Sequence, residues 1–506
     1  MPLPSRPTVR HTVSLPSRRL HWRGVLCTVV ATMLAIGISG ALALWGERSQ
    51  GATTSGSTPA ATGAAPATAA ATSAPATTAA AGQQSVYDKF PEPPVTYDRA
   101  YARQRAADIA NLGALLFKDK TLSASGQQSC ATCHSPENHY GPPNDLSVQL
   151  GGPDMKHPGV RAVPSLMYLE TVPNFDEHFV DSEEEGDNTT DAGPTGGLTW
   201  DGRVDHASAQ ARIPLLDPQE MANSDIASIV ENVRKSPNAD TIRKLFGGHV
   251  FDTDEKAFHA ITQALEYYQN DARLFFPFSS KYDAAVRGLT KLTDQEMRGA
   301  RLFEAADKGN CASCHRFAVP GQLPVFNDFG LIGLGLPRNP AIPANKNPAY
   351  FDQGLCGPLR KDLTDHPEYC GLFRSPTLRN VGTRKVFFHN GVFHDLHQVV
   401  EWYVTRDTNP EKWYPRNTDG SIAKFNDLSS ASMHENVNMD PPFGGKPGGK
   451  PGDKPALTPA EIDDVVAFLN TLTDGYYDPS KPPAPVAQAQ AQAQGAGTAA
   501  APATTH

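Results

Sequence analysis

Apolar and polar positions alternate with a helical period only in the middle of this 506-residue chain. Gly24 to Gly46 is an uncharged apolar run of 23 residues behind Arg6, Arg10, Arg18, Arg19 and Arg23, long enough to span a bilayer with the arginines on the cytoplasmic side. The expected layout is a basic cytoplasmic tail over 1–23 and a transmembrane anchor over 24–46. A cleaved signal peptide is the competing reading, with Ala41-Leu42-Ala43 as its small-residue site. Residues 47–84 and 478–506 are dominated by Ala, Thr, Ser, Gly, Pro or Gln and cannot bury enough apolar surface to offset their ordering entropy. They read as a flexible tether and a disordered tail.

Between these ends the segments Gly113-Ala-Leu-Leu116-Phe117 and Gly299-Ala-Arg-Leu302-Phe303 repeat a Gly-x-x-Leu-Phe pattern at an offset of 186 residues. The repeat predicts two related domains, 85–288 and 289–477. Thr293-Asp-Gln-Glu296 and Thr458-Pro459-Ala-Glu461 are capping boxes that satisfy free amides at helix starts. After the second box, Ile462, Val465, Val466, Leu469 and Leu472 form one apolar stripe. Asp395 and Gln398 open a shorter helix on which Leu396, Val399, Val400 and Tyr403 share a face. Strand-like alternation is scarce.

Charge and cysteine usage change the picture more than overall composition does. Residues 1–84 carry a net +5, so the rest of a chain of net charge −9 carries −14. An acidic body excludes nucleic acid as the expected partner and suits a basic redox protein. Of the seven cysteines, Cys27 lies in the apolar run, and Cys356 and Cys370 flank a short Pro- and Gly-rich loop, where a disulfide is expected in an oxidising compartment. The other four form Cys130-Ala-Thr-Cys133-His134 and Cys311-Ala-Ser-Cys314-His315. In each pentapeptide two thiols can form thioethers to porphyrin vinyl groups, and the adjacent histidine falls beneath the iron. Zinc held by Cys-x-x-Cys pairs is the rival reading, which the adjacent histidine disfavours. Two covalent c-type haems are therefore expected, in a mainly α protein of two cytochrome c-type domains.

The chain resembles the bacterial di-haem cytochrome c peroxidase family from about Phe90 to Tyr477. The resemblance rests on Phe117-x-Asp119-x-x-Leu122-Ser123 before the first pentapeptide and on Phe373-Arg-Ser-Pro376-Thr377-Leu378-Arg379-Asn380 in the second half. Trp200-Asp201-Gly202-Arg203 followed by Gln210, Pro214 and Glu220-Met221 is similar in order and spacing to further family positions. The resemblance implies that His134 is proximal to a peroxide-reacting iron and His315 to its partner, that Trp200 lies between the haems, and that Gln210 and Glu220 belong to the peroxide pocket. A carboxyl group there can carry the proton that peroxide cleavage has to move. The bland alternatives are a core Trp200 and a solvated Glu220.

Typical members supply a methionine to the second haem fourteen residues after the histidine of a Phe-His-x-Gly turn. Here the turn is Phe388-His389-Asn390-Gly391 and the position is Tyr403. This departure resembles the MauG branch, with a His/Tyr-ligated second haem, and implies that peroxide oxidises both haems before a protein or small donor is oxidised. Met433 and Met439 are the rival ligands, and a buried core tyrosine is the alternative role for Tyr403. A conventional peroxidase fed by a small cytochrome or copper protein, and a di-haem electron carrier without catalysis, are the competing functions. Of the other histidines, His139 or His157 is a candidate for the distal face of the first haem, with a surface or loop position the expected one; His389, His394 and His397 are expected in turns beside Tyr403. The family also implies calcium, held by carbonyls near Arg384 and Val386 and an Asn after Pro164-Ser165-Leu166. Tyr168 stands at that Asn position, with Asn174 nearby, which weakens the calcium expectation. The expected location is the periplasm, tethered to the inner membrane or soluble after cleavage.

Overall fold

The computed structural model describes residues 86–96, 98–179, 192–317, 322–443 and 449–481. The expected basic tail, anchor and tether, Cys27, the acidic run Asp181 to Asp191 and most of the C-terminal tail lie outside them. Among the described residues no helix is long and apolar enough to cross a membrane. All of them belong to one compact unit, Ala80–His506.

Among the described residues, eight helices of eight residues or more carry the fold: α1 (Arg99–Phe117), α2 (Ala207–Leu216), α3 (Ile226–Lys235), α4 (Ala239–Phe246), α5 (Asp254–Gln269), α6 (Asp294–Glu304), α7 (Leu396–Thr405) and α8 (Pro459–Asn470). Helix α1 starts at Asp98, whose side chain accepts the Ala100 N–H at 2.9 Å, and buries Ile109, Leu112, Leu116 and Phe117 along one stripe. It packs on α5. Where the two cross there is no room for a side chain, because a Cβ on Gly113 would run into the Ala264 carbonyl oxygen. The construction recurs where α6 packs on α8, since a Cβ on Gly299 would meet the Asp464 carbonyl oxygen. Phe117 and Phe303, four residues after each glycine, are each 1% exposed. Burying one such ring stabilises the fold by about 1.5–3 kcal/mol. The repeated Gly-x-x-Leu-Phe is thus a helix-crossing device used twice.

Two apolar cores form on these crossings. The first collects residues of α1 to α5, with Cys130 and Ala131 packed against it. The second collects α6, α7 and α8, with Cys311, Ala312 and Tyr403 packed against it. Both capping boxes form, Thr293 with Glu296 and Thr458 with Glu461, and the Asp395 carboxylate accepts the Gln398 N–H at 2.8 Å. In α8 the stripe is completed by fully buried Phe468, while Val466 is half-buried.

Strands are confined, among the described residues, to two antiparallel pairs. β1 (Leu150–Gly151) pairs with β2 (His157–Pro158), and β3 (Leu331–Gly333) with β4 (Leu372–Arg374), in a register that sets Leu331 opposite Arg374. Cys356 and Cys370 are joined in a disulfide, Cα atoms 4.9 Å apart, just before β4. Asp478 to Lys481 form a turn held by the Asp478 side chain.

Candidate active site

Each pentapeptide begins in a single helical turn, and each histidine leaves that turn with its imidazole already oriented. His134 Nδ1 lies 3.2 Å from the Tyr140 carbonyl oxygen and His315 Nδ1 lies 3.0 Å from that of Phe326. Donating Nδ1–H to a carbonyl leaves Nε2 with the free lone pair. Desolvation pushes both imidazoles down to about 4, so they are neutral at pH 7, the state a metal needs. Burial also pushes Cys130, Cys133 and Cys311 up to about 12 and Cys314 to about 11. Among the described residues no group of three or more His, Cys, Asp or Glu is arranged to hold a metal ion, so no further ligands complete a zinc site at either Cys-x-x-Cys pair.

A cavity of about 630 Å³ lies at the second pentapeptide. That is within the usual range of ligand sites, roughly 300–1,000 Å³. Cys311, Cys314, His315, Tyr403 and Trp200 all line it. Tyr403 stacks on Phe443 with ring centroids 5.5 Å apart and packs against Phe388 at 5.9 Å. Desolvation, with Cys314 and Cys311 adding to it and Arg406 opposing, raises its phenol above the ordinary value. No methionine lines the cavity among the described residues. Met439 is 43% exposed, and its sulfur accepts from Arg406 Nη2 at 3.2 Å. The sulfur of Met433 accepts from Ser429 Oγ.

The first pentapeptide is joined to Glu220 by backbone. Glu220 lies in the turn after α2, where Ala222 adopts φ 57°. Its carbonyl accepts from the Gln128 side-chain amide, two residues before Cys130, and from Gly152 N–H at 2.7 Å. Solvent reaches the side chain, yet enough protein surrounds it that desolvation, helped by Asp217 and opposed by Arg203, pushes the carboxyl up to about 7. The Glu220 charge also acts on Cys130 and Cys133, so the carboxyl is near the attachment thiols. Gln210 lies on α2, half-buried. Neither Glu220 nor Gln210 lines the cavity of the second site.

Trp200 occupies a tight turn closed by the Leu198–Val204 pair, with the β-branched Thr199 at φ 73°. Strain of that kind persists only where the surroundings over-determine it. Here Thr199 Oγ1 donates to Asp201 at 2.6 Å, and the Asp201 carboxylate, 0% exposed, receives Arg161 at 2.7 Å and Arg203 at 2.6 Å. Burial works against ionisation of Asp201, but the two guanidiniums hold it below the usual carboxylate range. Arg161 also pairs with Asp352 at 2.6 Å. Trp200 Nε1–H donates to the Ala162 carbonyl at 2.8 Å, and its ring meets His389 edge-on at 6.5 Å.

Residues 107–291 match the family model described as di-haem cytochrome c peroxidase. The methylamine utilization protein MauG of Paracoccus denitrificans is 34% identical over 393 residues, which cover 74% of this chain and 91% of that protein. The chain belongs to the di-haem cytochrome c peroxidase family. It is also 28% identical over 298 residues to the cytochrome c551 peroxidase of Nitrosomonas europaea, covering 58% of this chain and 72% of that one. The crystal structure of the diheme peroxidase BthA from Burkholderia thailandensis is similar at a TM-score of 0.64 and 35% identity, over 74% of this chain and 89% of that chain. The chain is therefore an oxidoreductase acting on peroxide, with two c-type haems.

The calcium position expected from the family is differently furnished here. Tyr168 is buried and its hydroxyl donates to Asp474 at 2.8 Å, while the Val386 carbonyl accepts from the Arg384 guanidinium at 3.1 Å. A cationic side chain thus occupies a carbonyl that the family pattern would give to the ion. Among the histidines, His157 pairs with Asp154 at the surface and His397 with Asp463. His139 lines the cavity of the second site. Sequence reasoning undervalued His389, which is buried, stacks on Phe373 at 3.4 Å and lines the same cavity. Its contact with Trp200 joins residues 189 positions apart, which no local pattern announces.

Proposed function

We propose that this family member works in the MauG manner: hydrogen peroxide is met at the first haem, oxidising equivalents are shared with a second haem ligated by His315 and Tyr403, and a protein or small redox donor is oxidised. The observation that carries this reading is Tyr403 lining the cavity of Cys311, Cys314 and His315, with both nearby methionine sulfurs engaged elsewhere. The haems supply iron that changes oxidation state and a macrocycle over which charge spreads. The chain's own residues do the rest. Glu220, near pH 7 divided between acid and base, takes the proton from the near oxygen of peroxide and returns it to the leaving oxygen. Gln210 orients the ligand or a water by its amide. Trp200, buried beside His389, provides an aromatic step between the two sites. Tyr403 would hold the second haem's iron through its oxygen, the phenol proton passing to solvent, and an anionic oxygen there would favour ferric and higher states where a thioether would favour the reduced one.

Potentiometry of Tyr403→Met tests this. Both attachment sites stay filled, the midpoint of the second haem rises, and the oxidised product formed with peroxide becomes short-lived. If Tyr403→Met and Tyr403→Phe leave the second haem's spectrum and potential untouched, Tyr403 is a core residue and the enzyme is a conventional peroxidase fed by a small cytochrome or copper protein. Two closed low-spin haems that ignore peroxide would leave only the carrier.

The formed Cys356–Cys370 disulfide and the two thioether sites favour an oxidising compartment. The enzyme is accordingly assigned to the periplasm, tethered through residues 24–46 or released by cleavage after Ala43. Fractionation distinguishes the two: the tethered form stays with membranes in an alkaline wash, the cleaved form does not.

A further inference from the structure

The arginines of the interior fall into two groups. Arg161, Arg360, Arg379 and Arg406 each have a carboxylate within 3.0 Å, on Asp352, Asp362, Asp283 and Asp407 respectively. Arg374 and Arg384 have none among the described residues. Arg374, 7% exposed on β4, donates Nε–H to the Thr199 carbonyl at 3.1 Å. Arg384 donates Nε–H to the Val386 carbonyl and Nη2–H to the Val163 carbonyl, each at 3.1 Å. These bonds use one of the five donors of Arg374 and two of those of Arg384. Desolvation, with nothing opposing it, pushes both guanidiniums down to about 10.

A cation enclosed without a counter-charge is costly, and the fold has paired its other interior arginines. Both exceptions line the cavity that holds Cys311, Cys314 and His315. Each porphyrin of a c-type haem brings two carboxylates that must also be neutralised, and the planar guanidinium fork matches a carboxylate in two bonds. Position separates the two arginines. Arg374 is in register with Leu331 of β3, whose neighbour Ile332 lines the cavity. Arg384 reaches into the first half, to Val163 and to the edge of Gly141, the residue after the Tyr140 whose carbonyl holds His134.

We propose that Arg374 and Arg384 are the anchors of the haem carboxylates, Arg374 for the second haem and Arg384 for the first, and that each sets the potential of its haem. The inference rests on the two attachment sites and is independent of the roles given to Glu220 and Tyr403. Removing a guanidinium leaves a carboxylate uncompensated, and the added negative charge favours ferric over ferrous iron.

The test is spectropotentiometry of the full two-haem protein without peroxide, on Arg374→Gln, Arg374→Lys, Arg384→Gln and Arg384→Lys, each first shown to carry two covalent haems. Each Gln variant should lower the midpoint of its own haem by on the order of a tenfold change in the ferric/ferrous equilibrium, about 59 mV for one electron. Each Lys variant should recover most of that shift, and the resonance Raman bending modes of the carboxylates should move in the Gln variants only. A Gln variant whose own haem keeps the wild-type midpoint overturns the proposal, as does a Lys variant displaced as far as Gln. A free anion held by these arginines would make the wild-type midpoints drift with acetate concentration; no drift is expected, and drift would overturn the anchoring.

Discussion

In the first half α1 crosses α5 at Gly113 and His134 donates its Nδ1 proton to Tyr140; in the second, α6 crosses α8 at Gly299 and His315 donates to Phe326. The likeness stops there. The first pentapeptide has beside it a carboxyl raised to about 7, in a loop tied back to the attachment segment by Gln128. The second has an aromatic-lined cavity with Tyr403 stacked on Phe443. The two halves thus repeat the crossing and the oriented histidine and vary the groups around them, the difference on which the proposed division between a peroxide-cleaving site and a charge-storing site rests.

The comparison breaks hardest at Glu220. Glu220→Gln should retain both haems and the ferric spectrum while losing about 10²- to 10⁴-fold in peroxide turnover, the range of a lost acid–base group. Stopped-flow mixing with peroxide reads this. In the parent enzyme the rate should rise with pH through about 7, because the carboxyl must be deprotonated to accept the first proton. That inflection should vanish in the Gln variant, and an unchanged profile removes Glu220 from the mechanism.

Next in size is the disulfide, which joins positions 14 apart in the second half only. Replacing both cysteines by serine should cost about 3 kcal/mol by loop closure and lower the denaturation midpoint. Gly113→Ala and Gly299→Ala sharpen the likeness, since each drives a methyl group into a facing carbonyl. Each should destabilise by about 1–3 kcal/mol in chemical denaturation, and a large inequality between them would mean the crossings are not equivalent. Smallest of all, Met439→Leu should leave the second haem's midpoint where it is and change stability by about 0.5 kcal/mol or less. A shifted midpoint would return Met439 to the list of ligands.

Local patterns made part of this legible. The pentapeptides, the repeated glycine crossing, the capping boxes at Thr293 and Thr458 and the Asp395 cap are contained in a few consecutive residues, and their chemistry is short-range. Phe468 escaped the stripe drawn for α8, and helices α2 to α5 of the first half carry no cap signal as plain as Thr458-Pro459. What the sequence could not reveal is long-range. Arg161 finds Asp352 across 191 positions, and His389 meets Trp200 in a turn held by Asp201. Such pairs are set by how the two halves dock, so no period or spacing encodes them. The position of Arg374 and Arg384 was equally hidden, since only the absence of a neighbouring carboxylate among the described residues distinguishes them from Arg379.

The hydrogen bond from Trp200 Nε1 has a redox meaning of its own. A backbone carbonyl is too weak a base to take a proton, and the indole is 8% exposed, so an electron drawn from Trp200 leaves the N–H in place. The radical so made is a cation, high in energy and quick to be refilled, and the visible absorption of the cationic rather than the neutral indolyl radical would register it. In the role proposed for it, Trp200 would relay charge in transit rather than hoard it, and longer-lived storage would fall to the groups on either side.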